Sequence, residues 1–342
     1  MKKILYIVNP KSGVGKKKEV VAEIAMRSAT LGLDCRIVQT THRGHATEIA
    51  EKERDNVDAV VAVGGDGTVN EVGLGMIGSS TPMGIIPCGS GNGLARELDI
   101  PLRTSMAVDL INELNTKRID VIKIGPEFSL TNKLEYWVSF NVAGIGFDAY
   151  ISHRFADKKR RGPLQYMNLI AKEFPDYVAK EYVLDIEGHI YSRRAFLISF
   201  ANSSQWGNDI HIAPHARMDD GLMDVCVVSE FPNMAIPSLV ISLLNQSIDN
   251  NKYDEIIRTK RVELHNPEPI MGHVDGEPVM FPVNTVIEVV PNALNVIVPS
   301  TEFYQSRRFD PQVLRQQVAK SVNDQLTEFR QNLINIKTIL EP

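Results

Sequence analysis

Short, mostly apolar runs alternate with amphipathic stretches through the first third of the chain. Residues 4–8, 34–39, 59–63 and 83–86 read as strands. The run at 59–63 is apolar at every position, as expected for a strand buried on both faces of a parallel sheet. Between them, Val20, Val21, Ile24 and Leu31 fall at helical spacing within 16–31, and Gly32 supplies a stop signal. Residues 46–54, 68–76, 94–98 and 105–114 read as further helices. Strand-helix alternation predicts a parallel, helix-covered sheet.

Beyond about residue 120 the pattern changes. Residues 121–124, 136–143, 182–186, 195–201, 224–228, 261–264, 279–281, 286–290 and 294–298 are strand-like, with turn signals at Glu187-Gly188 and Asp220-Gly221. Only 162–178 and 237–247 look helical in this stretch. Such a run of strands predicts a second, mostly antiparallel domain, a sandwich or a barrel. Residues 311–339 carry a helical pattern and are expected to pack back on the first domain, with a dimer arm as the alternative. The expected division is 1–123, joined by 300–342, as an α/β domain, and 124–299 as a β-rich domain.

Composition narrows the field. The chain has 342 residues, 43 % hydrophobic and 23 % charged, ordinary for a soluble globular protein. The net charge of −5 excludes the basic footprint of a nucleic-acid binder. Three widely spaced cysteines, Cys35, Cys88 and Cys226, make no disulfide framework or metal knuckle. His211 and His215 are four apart, but Pro214 between them argues against a helical metal pair. No stretch reaches the ~18 apolar residues of a spanning helix, and 4–8 is too short for a secretory leader. A cytoplasmic protein is expected. Lys158-Lys159-Arg160-Arg161 is a candidate contact for an anionic membrane surface, and Lys16-Lys17-Lys18 reads as a solvated face.

The candidate chemistry sits in loops that follow the first four strands. They are 9–16 (Asn9-Pro10-Lys11-Ser12-Gly13-Val14-Gly15-Lys16), 40–46 with Thr40 at the strand end, Gly64-Gly65-Asp66-Gly67-Thr68-Val69-Asn70, and 87–93 with Gly89, Ser90, Gly91, Asn92 and Gly93. Ligands of open α/β sheets bind at the carboxyl ends of strands. Glycine turns free backbone N–H groups to hold anions. A carboxylate inside such a cradle repels phosphate, so Asp66 is expected to hold a metal or a hydroxyl proton. The spacing of the first loop is not that of a Walker motif, and no dinucleotide fingerprint is present. A phosphate cradle with an embedded acid points to phosphoryl transfer.

These motifs together resemble the catalytic domain of the diacylglycerol kinase family, which includes bacterial lipid kinases and sphingosine kinases. The likeness rests on Asn9-Pro10 with Ser12-Gly13, Gly64 to Thr68 with Asn70-Glu71-Val72, and Pro87-x-Gly89-Ser90-Gly91-Asn92 with Ala95-Arg96. It continues in Asn141-x-Ala143-x-x-Gly146-Phe147-Asp148, Asp219-Asp220-Gly221-Leu222-Met223-Asp224 and Asp275-Gly276-Glu277. The resemblance implies an α/β domain with a parallel sheet of the NAD kinase/diacylglycerol kinase type, followed by a mostly antiparallel β-sandwich.

It also implies ATP and Mg²⁺ as cofactors, a lipid substrate at the membrane surface, and peripheral membrane association. Asn9, Thr40, Gly64, Gly65, Gly67, Thr68, Gly89, Ser90 and Asn92 would line the nucleotide. Asp66 would organise Mg²⁺. Glu277, with Asp275 beside it, would supply the base for the lipid hydroxyl. Asp219, the Leu222 carbonyl and Asp224 resemble a second, structural Mg²⁺ site, whose all-oxygen donors suit a hard cation. NAD kinase is the alternative enzyme, disfavoured by the Asn9-Pro10 loop and the Asp275-Gly276-Glu277 triplet. A nucleotide sensor without catalysis is the alternative of another class.

Overall fold

A computed structural model describes residues 1–10, 17–126, 136–156, 163–207 and 210–305. The glycines of the first loop, the basic cluster at 158–161 and the helix expected at 311–339 lie outside the described residues. So does Lys16 of the first basic cluster.

The first part alternates as its apolar pattern predicts. Strands β1 (Lys3–Val8), β2 (Asp34–Gln39), β3 (Ala59–Gly64) and β4 (Met83–Pro87) alternate with α1 (Lys17–Thr30), α2 (His45–Glu53), α3 (Asp66–Met76), α4 (Gly93–Glu97) and α5 (Thr104–Glu113). The strands pair in parallel in the order β2-β1-β3-β4. β3 and β4 are buried along their whole length. Four parallel strands put four carboxyl ends, and hence four loops, on one edge.

Next come β5 (Thr116–Pro126), β6 (Trp137–Ser139), β7 (Val142–Gly146), α6 (Phe147–Ala156), α7 (Pro163–Glu173), β8 (Lys180–Ile186) and β9 (His189–Ala201). They are followed by β10 (Gln205–Gly207), β11 (Ile210–His211), β12 (Met223–Ser229), α8 (Ile236–Leu244), β13 (Asp254–Thr259), β14 (Arg261–His265), β15 (Ile270–Val274), β16 (Glu277–Phe281) and β17 (Thr285–Ile297). All but β10 and β11 join one mixed sheet with the parallel strands, 15 strands in all among the described residues. β17 is the seam. It pairs in parallel with β4 at Val296–Met83 and antiparallel with β5 from Thr285–Pro126 to Ile297–Thr116. A core of Ile122, Ile145, Ile198, Phe200, Val225 and Phe281 fills the β-rich half, and a second cluster lies under α6 and α7. Residues 299–342 form a separate unit, described only as far as α9 (Thr301–Gln305).

Several expectations change, and strands β13 and β15 were not expected. The strand expected at 136–143 breaks into β6 and β7 at Phe140-Asn141, whose backbone turns inward to another partner. The two strands expected at 286–290 and 294–298 form one element with a register shift, where Asn292 takes φ 53°. The helix α6 was not expected. Phe147, Ala149 and Ile151 alternate as in a strand, and all three are buried because the helix is covered on more than one side.

Candidate active site

Two of the glycine loops touch. Cys88 N donates to Gly64 O at 2.8 Å, which brings the ends of β3 and β4 together. A Cβ on Gly89 would stand 2.6 Å from Gly65 Cα, and one on Gly64 would stand 2.4 Å from Thr68 Oγ1. Only glycine lets the two backbones approach this closely.

Asp66 fastens the crossing. As the first residue of α3, its carboxylate accepts from Asn92 N at 3.0 Å and Gly93 N at 2.7 Å. Asn92, in the left-handed region at φ 53°, accepts from Gly89 N at 2.8 Å and donates to Gly89 O at 2.9 Å. Arg96 Nε donates to Gly91 O at 3.1 Å. Asp66 thus shapes the fourth loop. A carboxylate has about four lone-pair positions, so it keeps capacity toward a cation or water. Thr68 is buried, and its Oγ1 has no hydrogen-bond partner among the described residues. A buried hydroxyl without a partner, in a turn of glycine N–H groups, fits a nucleotide phosphate or its cation. Asn9 N and Thr40 N donate to Val63 O and Val8 O, which places both residues on the same edge. Ser90 is exposed at the tip of the fourth loop.

The Asp275-Gly276-Glu277 triplet is a tight hairpin between β15 and β16. Val274 pairs with Glu277, and Asp275 and Gly276 take φ 49° and 82°, a turn of the mirror-image kind that Asp-Gly favours. Asp275 is a bracket. Its carboxylate accepts from Ser139 Oγ at 2.7 Å, Asn141 N at 2.9 Å, Phe140 N at 3.0 Å and Asn70 Nδ2 at 3.0 Å. Burial pushes its pKa up, and these four bonds restrain the rise. Asn70 lies one turn after Asp66 on α3, so this bracket ties the glycine-loop helix to the hairpin.

Glu277 is half exposed, and its Oε1 lies 3.9 Å from where a Gly67 Cβ would be. Arg43 Nη2 of the second loop stands 3.7 Å from Glu277 Oε2. The structure therefore brings the 64–70 turn, the 89–93 loop and the hairpin to one place, although more than 200 residues separate Asp66 from Glu277. Asn70, Arg43 and Ser139 were not assigned roles from sequence. Asn70 had a signal, since i+4 from Asp66 is the same helical face.

The chain matches the diacylglycerol kinase catalytic domain over residues 3–124 and the YegS C-terminal NAD kinase beta sandwich-like domain over 141–298. Residues 3–124 thus carry a diacylglycerol kinase catalytic domain. Among relatives of this kinase family, a diacylglycerol kinase of Staphylococcus aureus is 25 % identical over 283 residues, covering 81 % of this chain and 86 % of the relative. A probable lipid kinase YegS-like of Chromohalobacter salexigens is 28 % identical over 299 residues, covering 84 % and 88 %. A crystal structure of a diacylglycerol kinase from Bacillus anthracis shares the fold, with TM-score 0.65 and 23 % identity over 87 % of this chain and 97 % of that one. Yeast NADH kinase complexed with NADH also shares it, with TM-score 0.53 and 10 % identity over 89 % and 86 %. The α/β half of the family fold is parallel, and the second half is a mostly antiparallel sandwich.

The second acidic motif lies apart from the glycine loops in sequence. Asp219 pairs with Lys117 Nζ at 2.9 Å and with Arg217 Nε at 3.3 Å, and Lys117 holds its pKa below the ordinary carboxylate value. Asp224 is buried, which raises its pKa, and its Oδ1 meets Arg258 Nε at 3.0 Å. Arg258 also pairs with Asp220, whose Oδ1 accepts from Leu222 N at 3.1 Å. A divalent ion at Asp219, the Leu222 carbonyl and Asp224 would compete with Lys117 and Arg258 for the carboxylate oxygens. His42, His45 and Glu48 also gather at the start of α2. His45 Nδ1 there already accepts from Thr41 N at 3.1 Å.

Proposed function

We propose that this protein is an ATP-dependent lipid kinase that moves the γ-phosphate of ATP to a lipid hydroxyl, with diacylglycerol or a related lipid as acceptor. One observation carries the reading. The fold holds an open carboxylate, Glu277, opposite the turn of Gly64 to Thr68, and clamps its hairpin to that turn's own helix through Asp275 and Asn70. The match of residues 3–124 to a kinase catalytic domain supports a phosphotransferase. The names of its relatives support a lipid acceptor.

In this mechanism the N–H groups of Gly65 and Gly67, with the Thr68 hydroxyl, hold the ATP phosphates, and the Gly89 N–H, bound to Asn92 Oδ1, keeps the fourth loop in shape. Asp66 keeps the two loops in register and faces the cation that accompanies ATP. Mg²⁺, when bound, neutralises the charge that develops on the phosphates. Glu277 takes the proton of the acceptor hydroxyl as its oxygen bonds to the γ-phosphorus. The bond from that phosphorus to the β,γ-bridging oxygen breaks, and ADP leaves. Charge stabilisation and positioning carry most of such a reaction.

A lipid acceptor needs an apolar berth. A cavity of about 460 Å³ between α6 and the β15–β16 hairpin begins one residue past Glu277, and is lined by Tyr150, His153, Ala156, Met271, Pro278, Val279 and Met280, and by the charged side chain of Arg154. Met271 and Met280 are cross-strand neighbours, 47 % and 46 % exposed. No helix among the described residues is long and apolar enough to cross a membrane. The enzyme is read as meeting its substrate at the bilayer surface. The test is labelled ATP offered with purified lipids and, separately, with NAD. Labelled lipid is the expected product. Labelled NAD phosphate establishes an NAD kinase instead, and ATP binding without product establishes a sensor.

A further inference from the structure

The motif ending in Gly146-Phe147-Asp148 and the histidine before the catalytic triplet have no part in the mechanism above, yet they meet. His273 Nε2 lies 3.0 Å from Asp148 Oδ2, and only 4 % of the histidine is exposed. Asp148 is anchored in turn, its Oδ1 accepting from Ala149 N at 2.7 Å and its Oδ2 from Ser199 Oγ at 3.4 Å. The sheet leaves a hole for the pair. Gly144 on β7 stands opposite His273, and a Cβ there would fall 2.5 Å from Asp148 Oδ2 and 2.8 Å from His273 Nε2. The other ring nitrogen, Nδ1, accepts a long hydrogen bond of 3.4 Å from Gly276 N, the centre of the turn that presents Glu277.

We infer that His273, oriented by Asp148, is a positioning residue that fixes the Asp275-Gly276-Glu277 turn from behind. Asp275 holds the turn from the glycine-loop side, and His273 holds it from the α6 side. The inference rests on Glu277 being the base. The carboxylate of Asp148 requires a proton on Nε2, which leaves Nδ1 bare to receive the Gly276 N–H. A turn held on one side only lets Glu277 drift, and displacement on the ångström scale costs roughly 100-fold in rate.

The test uses three substitutions in the full chain, with kcat, the KM for ATP and thermal midpoint measured for each. His273→Leu removes both contacts. His273→Gln keeps a donor near the Nε2 position, and His273→Asn keeps an acceptor near the Nδ1 position. His273→Leu and His273→Gln are expected to lower kcat roughly 10- to 100-fold with the KM for ATP unchanged, and His273→Asn to recover most of the loss. Equal kcat in all three, or a KM that rises with a midpoint that falls alike in all three, overturns the inference. A nitrogen NMR spectrum of His273 in the unsubstituted protein tests it without any turnover. Protonated Nε2 with bare Nδ1 is expected, and a proton on Nδ1 overturns it. This readout stands even if no lipid is phosphorylated, so failure of the kinase reading is told apart from failure of this one.

Discussion

At the scale of single residues, the carboxylates divide by what they accept. Asp66 accepts two backbone N–H groups and Asp275 four donors, whereas Glu277 stands half exposed beside Gly67. Substituting Asp275→Asn turns one acceptor into a donor that faces other donors. The expected loss is about 1–3 kcal/mol for each donor left unpaired, read by denaturant unfolding. Asp254 is a separate case. Both its oxygens are buried with no partner among the described residues, and burial pushes its pKa up to about 8. The folded chain therefore holds a proton there that the unfolded chain releases near its ordinary value. Between those two values stability falls as pH rises, by up to ~1.4 kcal/mol per pH unit. Asp254→Asn is expected to remove that slope in unfolding measured from pH 5 to pH 9.

At the scale of elements, the contact of two loops and the hairpin decides the site. Gly89→Ala places a Cβ against the Gly65 backbone and Asn92 Oδ1, and neither can move cheaply. This substitution is expected to weaken ATP binding at least tenfold, a loss of about 1.4 kcal/mol, measured by titration calorimetry. Much of this layer was legible in the sequence. Three of the four parallel strands, β1, β3 and β4, are nearly continuous apolar runs, and glycines mark the turns that follow the strands. The β-rich half was less legible, because its pairings join distant segments. Nothing local to 136–143 shows that Phe140 and Asn141 turn their N–H groups toward Asp275. Alternating apolar residues hid α6, although that helix braces the hairpin through His153 Nε2, which lies 3.0 Å from both Gly272 O and Val279 O. Asp275 and Glu277 look alike in the sequence, and only the hairpin separates a bracket from an open acid.

At the scale of the whole molecule, β5 and β17 form an antiparallel ladder that runs through both family regions, from Thr116 to Pro126 on one strand. The proposed division near residue 123 falls within that ladder. Motion between the two halves must bend it, so residues 1–298 are expected to unfold in one cooperative step. Trp137 and Trp206 both lie in the β-rich half, while α1 to α5 lie in the other. Coincident fluorescence and circular dichroism transitions would show this, and separate transitions would show two independent domains.

The joined halves exist, in this account, to set Glu277 against a nucleotide held by the turn of Gly64 to Thr68. The most direct measurement is lipid phosphorylation by Glu277→Gln alongside its ATP affinity. Unchanged ATP binding and a transfer rate lower by roughly 100- to 10,000-fold are expected. Transfer at near the unsubstituted rate would contradict Glu277 as the base.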